Sequence, residues 1–196
     1  MFGSKRTIRR TWRRISAAAA IAAALVVAAP ADAAPTRAGT AQANNARTTT
    51  WVAGAWQATP SLVPTGLGDL QACKDIPFMA FASLKGAFAG TWTEQSMKVE
   101  FCDTSQMPNH LYYRVSGVGT LKGLYLGDHT RGSLTWAGAW EGDAISGEST
   151  GRFDITDGRG DPTFKCSSGR LTFAGFTNFV TSFGGYSGAW AHGCGK

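Results

Sequence analysis

A five-residue pattern, aromatic-x-Gly-x-Trp, occurs three times in this chain and constrains its fold more than any other feature. The copies are residues 88–92, 136–140 and 186–190, and a looser copy spans 51–56. Residues i, i+2 and i+4 of a β-strand share one face, so each copy puts two rings and a glycine together. A glycine between two rings permits strong strand curvature, which a barrel needs in order to close. The pattern therefore indicates curved strands with large rings on one face.

Apolar and polar residues also alternate outside these copies. Leu111, Tyr113 and Val115 form one such run, and Met97, Val99 and Phe101 form another. Alternation at period two is typical of half-buried strands, and no segment after residue 51 has a helical period. Turns are predicted at Lys85-Gly86, Gly127-Asp128, Asp157-Gly158 and Gly184-Gly185. The sequence predicts an all-β fold, a single antiparallel β-barrel of about eight strands, with a β-sandwich as the alternative.

The first 33 residues have the pattern of a secretory signal peptide. Six Lys and Arg residues without an acid precede an apolar run at 15–29, and Ala31-Asp32-Ala33 follows Pro30. A basic region, a short apolar run and a small-residue site are typical of a cleaved signal. We expect cleavage after Ala33, a secreted protein, and no membrane association after cleavage.

The rest of the chain divides into a leader and one domain. Residues 34–50 contain no large apolar side chain, which predicts a disordered leader and leaves 51–196 for the barrel. The whole chain has a formal net charge of +6 from 19 Lys and Arg and 13 Asp and Glu. Six of these bases and one of these acids lie in residues 1–33, so 13 and 12 remain. A nearly balanced, mixed charge gives no basis for binding nucleic acid.

Four cysteines occur after the predicted signal peptide. An even number in an exported chain predicts two disulfides, and three pairings are possible. We prefer Cys73–Cys102 and Cys166–Cys194, because each closes a loop of about 30 residues. No pair has the C-x-x-C spacing of a metal site, so no metal ion is predicted, and no motif indicates a cofactor.

Several segments resemble known barrel families. The G-x-W elements resemble those that open the first strand of calycin barrels, the lipocalins and avidins, and residues 136–142 are similar to avidin-type strands. Residues 117–127, with Gly-Arg-Phe at 151–153, resemble a glycine-rich segment of secreted bacterial proteins with an allene-oxide-cyclase-like β-barrel. The resemblance implies an eight-stranded barrel with an apolar cavity. It carries over no catalytic residue.

The closing tryptophans of the three copies are the candidate ligand-binding residues. Because alternate residues of a strand lie on the same face, Trp92, Trp140 and Trp190 each share a face with the other ring of their copy. Glu94 and His192 each lie two residues beyond a closing tryptophan and therefore on the same face. We expect the three rings to surround one space with Glu94 and His192 at its edge, joined by Arg114 and His110 from another strand. A carboxylate and an imidazole so placed can orient a ligand or transfer protons.

Three functions are compatible with these features. The first is a secreted protein that binds a small ligand, apolar or carbohydrate, in a Trp-lined interior. The second is a barrel enzyme, an isomerase or hydrolase that uses Glu94 and His192. The third is a protein-binding or inhibitory module with a solid core. A hollow barrel supports the first two functions, and a barrel filled by tryptophan supports the third. The sequence leaves the oligomeric state open.

Overall fold

Eight strands form one closed antiparallel barrel, in chain order, in the computed structural model, which describes residues 47–65 and 73–194. The strands are β1 (Thr48–Pro64), β2 (Asp75–Gly86), β3 (Phe88–Asp103), β4 (Tyr112–Tyr125), β5 (Thr130–Asp143), β6 (Glu148–Gly160), β7 (Ser168–Thr177) and β8 (Ser182–His192). One 3-10 helix, Pro162–Phe164, lies between β6 and β7. The predicted all-β barrel is confirmed, and the sandwich alternative is wrong. The described residues contain no helix long and apolar enough to cross a membrane.

The barrel begins slightly earlier than the sequence predicted. The predicted signal peptide and most of the predicted leader lie outside the described residues. The leader's last three residues, 48–50, belong to β1 and pair with β8, as in Thr48 opposite His192 and Thr50 opposite Trp190. A boundary at residue 51 is therefore three residues late. Backbone pairing with β8 holds these threonines in the sheet, and it needs no large apolar side chain.

The two ends of the barrel are built differently. One end, here the seam end, carries the start of β1, the end of β8 and the 3-10 helix. Phe164 of that helix is fully buried and packs against Phe88 and Trp190. The opposite end, here the loop end, carries the β3–β4 and β5–β6 connections. The 3-10 helix therefore closes the seam end from inside.

Both predicted disulfides are confirmed. Cys73–Cys102 ties the connection before β2 to the end of β3, and Cys166–Cys194 ties the connection before β7 to the segment after β8. The Gly193 N–H also donates hydrogen bonds to carbonyl oxygens of the β6–β7 connection. Two disulfides are consistent with an oxidising compartment.

Two predicted turns are wrong. Asp157-Gly158 lies inside β6, and Gly184-Gly185 lies inside β8. A Cβ on Gly158 would stand 1.9 Å from the Phe164 carbonyl oxygen, and one on Gly184 would stand 2.2 Å from the Ala174 carbonyl oxygen. These glycines are required by close approach of neighbouring backbone, not by chain reversal.

The same reason explains the glycines of the repeated pattern. A Cβ on Gly90, Gly138 or Gly188 would stand 2.0–2.2 Å from a backbone oxygen of the adjacent strand. Contacts below 3.0 Å require the backbone to move. Each copy of the pattern therefore marks a point where two strands of the curved sheet approach closely.

We expect Gly138→Ala to destabilise the barrel. The new methyl group would overlap the Arg152 carbonyl oxygen at 2.1 Å and the Phe153 ring at 2.6 Å. Overpacking of this kind costs about 1–3 kcal/mol. Gly185→Ala is the matched control, since its Cβ would meet only the Gly54 oxygen at 3.5 Å. Urea denaturation of both variants measures the difference, and equal stabilities would contradict the close-approach explanation.

Candidate functional site

The three closing tryptophans lie inside the barrel. Trp92, Trp140 and Trp190 are each at most 3% exposed. Trp92 stacks on Trp136 with ring centroids 4.4 Å apart and planes 9° from parallel. The large rings of the repeated pattern therefore pack against one another in the interior.

Trp92 and Trp140 belong to a central ring layer. Phe153 fills the space between them, at 5.0 Å from Trp92 and 5.3 Å from Trp140. Phe173 contacts the same two rings, and Trp56 contacts Trp140 at 5.7 Å. These centroid distances are those of packed aromatic pairs. The space between Trp92 and Trp140 is therefore occupied by side chains of β6 and β7.

Trp190 belongs to a second ring layer, at the seam end. Its ring contacts Phe88, Tyr125 and Phe164 at centroid distances of 5.0–5.4 Å. Tyr186 joins the two layers, since it contacts Phe88 in one and Phe173 in the other. The three closing tryptophans thus lie in two layers that a tyrosine connects, and they do not surround one shared space.

Glu94 lies deep in the barrel, not at its mouth. Strand β3 continues for nine residues beyond it, to Asp103. The indole N–H of Trp140 donates to Oε1 at 2.5 Å, and that of Trp92 donates to the same oxygen at 3.3 Å. Oε2 is buried and has no hydrogen-bond partner among the described residues. Glu94 is therefore a carboxyl group enclosed by the central ring layer.

Burial raises the pKa of Glu94 to about 8, although the hydrogen bonds from Trp140 and Trp92 act in the opposite direction. An apolar surrounding disfavours the carboxylate more strongly than two indole donors stabilise it. The carboxyl group is therefore mostly protonated at neutral pH.

His192 lies at the seam end. Its ring stacks on Trp190 at 4.1 Å, and Thr50 Oγ1 lies 2.9 Å from Nε2. Burial lowers the pKa of His192, and the charge of Asp128 partly opposes that shift. Glu94 contacts the central layer and His192 the seam-end layer, so the structure does not bring the predicted pair together.

A groove lies at the loop end of the barrel, and it is here called the end groove. Its volume is about 640 Å³. It crosses the ends of β3 to β6, and its lining consists of Phe101, Tyr112, Tyr113, Arg114, Glu141, Gly142, Asp143, Glu148, Ser149 and Thr150. Of these residues only Arg114 was predicted from the sequence to belong to a site, and its predicted place was beside Glu94 and His192.

The floor of the end groove is formed by one row of paired residues. Tyr113 of β4, Gly142 of β5 and Ser149 of β6 lie side by side. The Tyr113 hydroxyl and the Ser149 Cβ each lie 3.0 Å from the point where a Gly142 Cβ would stand. Ser149 Oγ is buried and has no hydrogen-bond partner among the described residues. The absence of a side chain at Gly142 therefore leaves room for the buried Tyr113 and Ser149 side chains on either side of it.

The floor also lies within the electrostatic influence of Glu94. Burial raises the pKa of Tyr113, and the charges of Glu94 and Asp143 raise it further. The Tyr113 hydroxyl therefore stays protonated and can donate a hydrogen bond at any physiological pH.

The walls of the end groove hold charged groups in fixed positions. The Arg114 guanidinium lies between two carboxylates, with Nε 3.3 Å from Glu100 Oε2 and Nη1 2.9 Å from Glu141 Oε1. Asp143 accepts hydrogen bonds from His110 Nδ1 at 2.7 Å and from the Leu111 N–H at 2.8 Å. Burial alone would raise the pKa of Asp143, but these donors outweigh it and hold the pKa well below its usual value. Asp143 is therefore ionised and rigidly placed.

Exposed aromatic rings complete the walls. Tyr112 stacks on His110, with ring centroids 5.5 Å apart and planes 7° from parallel. Phe101 is 51% exposed, although alternation with Val99 predicted that it faces inward. Two register irregularities in the β3–β4 ladder, at 95–98 and 99–101, turn Phe101 outward. A bulge depends on the partner strand, so the alternation within β3 could not reveal it.

Nothing in the described residues resembles a metal centre, since no three His, Cys, Asp or Glu side chains are grouped so as to hold an ion.

Comparison of the chain with family models, curated proteins and solved structures finds no match. The resemblance to calycin and allene-oxide-cyclase-like barrels therefore stays a prediction.

Proposed function

We propose that this protein is a secreted carbohydrate-binding protein that holds its ligand in the end groove, on the outside of a filled barrel. The observation that carries the proposal is the contrast between the two regions. The interior is filled by rings in mutual contact, the arrangement expected of a protein-binding module and not of an internal ligand site. The end groove, by contrast, is an outer depression of about 640 Å³ with exposed rings and fixed charged groups, and for this reason we favour a ligand on the outside of the barrel. Ligand sites for small molecules usually have volumes of about 300–1,000 Å³.

The depression continues along the barrel wall. A second depression of about 420 Å³ shares Arg114, Glu141 and Thr150 with the end groove, and it extends over Gly138 and Ala139 of β5. The small side chains of β5 leave a channel between longer side chains of the neighbouring strands. This length suits several linked sugar units better than a single compact molecule.

The lining combines a larger apolar surface with fixed charged groups, a mixture that suits the apolar and polar parts of a neutral sugar. Tyr112 and Phe101 offer exposed ring faces on which the C–H face of a sugar can stack. Arg114, Glu141 and Asp143 offer donors and acceptors whose positions are already fixed by other contacts. An apolar ligand would remove water from these charges without replacing its hydrogen bonds. Because carboxylates outnumber cations in the lining, an anionic ligand is also disfavoured.

Secretion is supported by two independent features. Residues 1–33 have the pattern of a signal peptide, and the two disulfides would be stable in an oxidising compartment. A binding protein for extracellular carbohydrate would meet its ligand there.

Calorimetric titration with neutral oligosaccharides tests the proposal. The probes are hexasaccharides of the β-1,4-glucan, chitin, α-1,4-glucan and β-1,3-glucan series. We expect one series to bind, and Tyr112→Ala to weaken that binding at least about tenfold, or about 1.4 kcal/mol. The reason is the loss of an aromatic stacking surface.

Phe179→Ala is the matched control. Phe179 is an exposed aromatic residue in the β7–β8 connection, outside the lining of the end groove. We expect this variant to keep the affinity of the unchanged protein. If no series binds, or if both variants lose affinity equally, the end groove is not the carbohydrate site.

A further inference from the structure

The outer face formed by β7, β8, β1 and β2 is nearly free of charge, and it is here called the neutral face. Its rows follow from the strand pairing: Ser187 lies opposite Ala53, Gly185 opposite Ala55, and Phe183 opposite Gln57. The central positions carry only small side chains. They are Ala53, Ala55, Gly185, Ser187 and Ala189. A second backbone can approach this central strip closely, because none of its five residues has a side chain larger than serine.

Large apolar side chains border the small central strip. Trp51 lies at the seam end and is 71% exposed. Phe183, Phe81 and Leu62 lie toward the loop end and are each at least 50% exposed. Single exposed apolar residues are ordinary on protein surfaces, whereas several on one uncharged face indicate an interaction surface.

Two charged residues flank the central strip on the outer strands of the neutral face. On β2, Lys85 pairs directly with Ala55, and on β7, Arg170 pairs directly with Ala189. Arg170 is paired with Asp154 of β6 at 2.7 Å, so its charge is compensated within the same chain. The face across the barrel differs, since Arg114 there forms ion pairs with Glu100 and Glu141.

We propose that the neutral face is the contact surface between two copies of this chain. A two-fold interface places the same surface against itself, so any uncompensated charge near the axis would face its own copy. The five positions of the central strip, on β1 and β8, carry no charge, and the two flanking charges lie one strand away from it on either side. A face of mixed apolar rings, methyl groups and hydroxyl groups is complementary to a second copy of itself.

The size of the neutral face is also suitable. From Trp51 to Leu62 the strand rise gives about 35 Å, and four strands give a width of about 19 Å. The face therefore offers on the order of 700 Å² per copy, close to the roughly 800 Å² per partner of a stable protein interface. The large rings at the margin of one copy can pack against the small side chains in the central strip of the other copy.

This inference does not depend on the proposed function. The end groove lies on β3 to β6, and the neutral face lies on β7, β8, β1 and β2. A dimer formed through the neutral face would leave both grooves open to solvent. The pair would present two binding sites, which raises the apparent affinity for a polymer with repeated units.

Sedimentation equilibrium of the secreted protein tests the inference. We expect a mass of two chains in the micromolar range. Phe183→Asp places a carboxylate at the apolar margin, and Ala55→Arg places a long cation in the central strip. Each should weaken dimerisation at least about tenfold. Val118→Asp is the matched control, because Val118 is 44% exposed on β4 outside the neutral face.

The possible outcomes separate clearly. Circular dichroism and thermal melts first establish that each variant is folded, and Ala55→Arg and Phe183→Asp are independent substitutions on different strands. A protein that stays monomeric into the hundred-micromolar range, a trimeric mass, or equal dissociation in the Val118→Asp control would overturn the inference. Oligosaccharide titration of the Phe183→Asp monomer distinguishes the two proposals, since its groove is unchanged.

Discussion

Glu94→Gln is expected to remove most of the pH dependence of barrel stability above pH 4.5. Burial raises the pKa of this carboxyl group from 4.5 to about 8. Between these values the folded protein holds a proton that the unfolded chain has released, so the free energy of unfolding decreases as the pH rises. The stabilisation is complete below pH 4.5 and is lost as the pH rises through about 8.

The expected magnitude is large for one side chain. A pKa difference from 4.5 to about 8 corresponds to roughly 5 kcal/mol between the two ends of that range. A glutamine at this position can still accept hydrogen bonds from both indoles through its carbonyl oxygen, but it does not titrate. Urea denaturation across this pH range should therefore show a steep decrease for the unchanged protein and a much flatter profile for Glu94→Gln.

Other groups act on the same profile, and the comparison of variants separates them. The lowered pKa of His192 makes stability decrease as the pH falls through the range of an ordinary histidine, which is the opposite direction. That contribution is present in both proteins and cancels in their difference. Glu148→Gln, at an exposed carboxylate of the end groove, should keep the original profile. Parallel profiles for the unchanged protein and Glu94→Gln would show that the carboxyl group is not enclosed.

Phe153→Ala should strongly destabilise the barrel. The Phe153 ring is fully buried and contacts Trp92, Trp136 and Trp140 at centroid distances of 4.8–5.3 Å. Removing a buried phenyl ring costs about 3–5 kcal/mol, because the lost contacts add to the cost of the cavity. Equilibrium unfolding in urea measures the loss.

Phe101→Ala is the matched control for this experiment. Phe101 is a strand phenylalanine with a half-exposed ring, and its truncation should change stability by no more than about 0.5 kcal/mol. If Phe153→Ala is as mild as Phe101→Ala, the interior has space that the ring packing does not suggest, and a ligand within the barrel becomes the better explanation.

The face of each strand could be predicted from the sequence, because side-chain direction follows from local backbone geometry. Parity alone placed Trp92, Trp140 and Trp190 inside. The cysteine pairing could also be predicted, because loop length limits which thiols meet readily. Both inferences rely on quantities that are local or nearly local in sequence.

The position of each side chain along the barrel axis could not be predicted in the same way. Glu94 and His192 share the inner face, but strand tilt and register assign them to different ring layers. Register is set by pairing between strands, which the sequence of one strand does not contain. The end groove escaped prediction for a related reason, since Phe101 reaches it through bulges and Gly142 contributes by having no side chain.

The seam between β1 and β8 has a consequence for the order of folding. Thr50 and His192 are 142 residues apart and touch in the finished barrel. Every other ladder joins neighbours in the chain, so seven hairpin-like pairings can form early while the sheet stays open at both edges. Pairing β1 with β8, the two strands farthest apart in the chain, costs conformational entropy in one late step. During synthesis the N-terminus emerges first, so the edge of β1 stays unpaired until β8 has emerged. Premature pairing between two chains would begin at that edge.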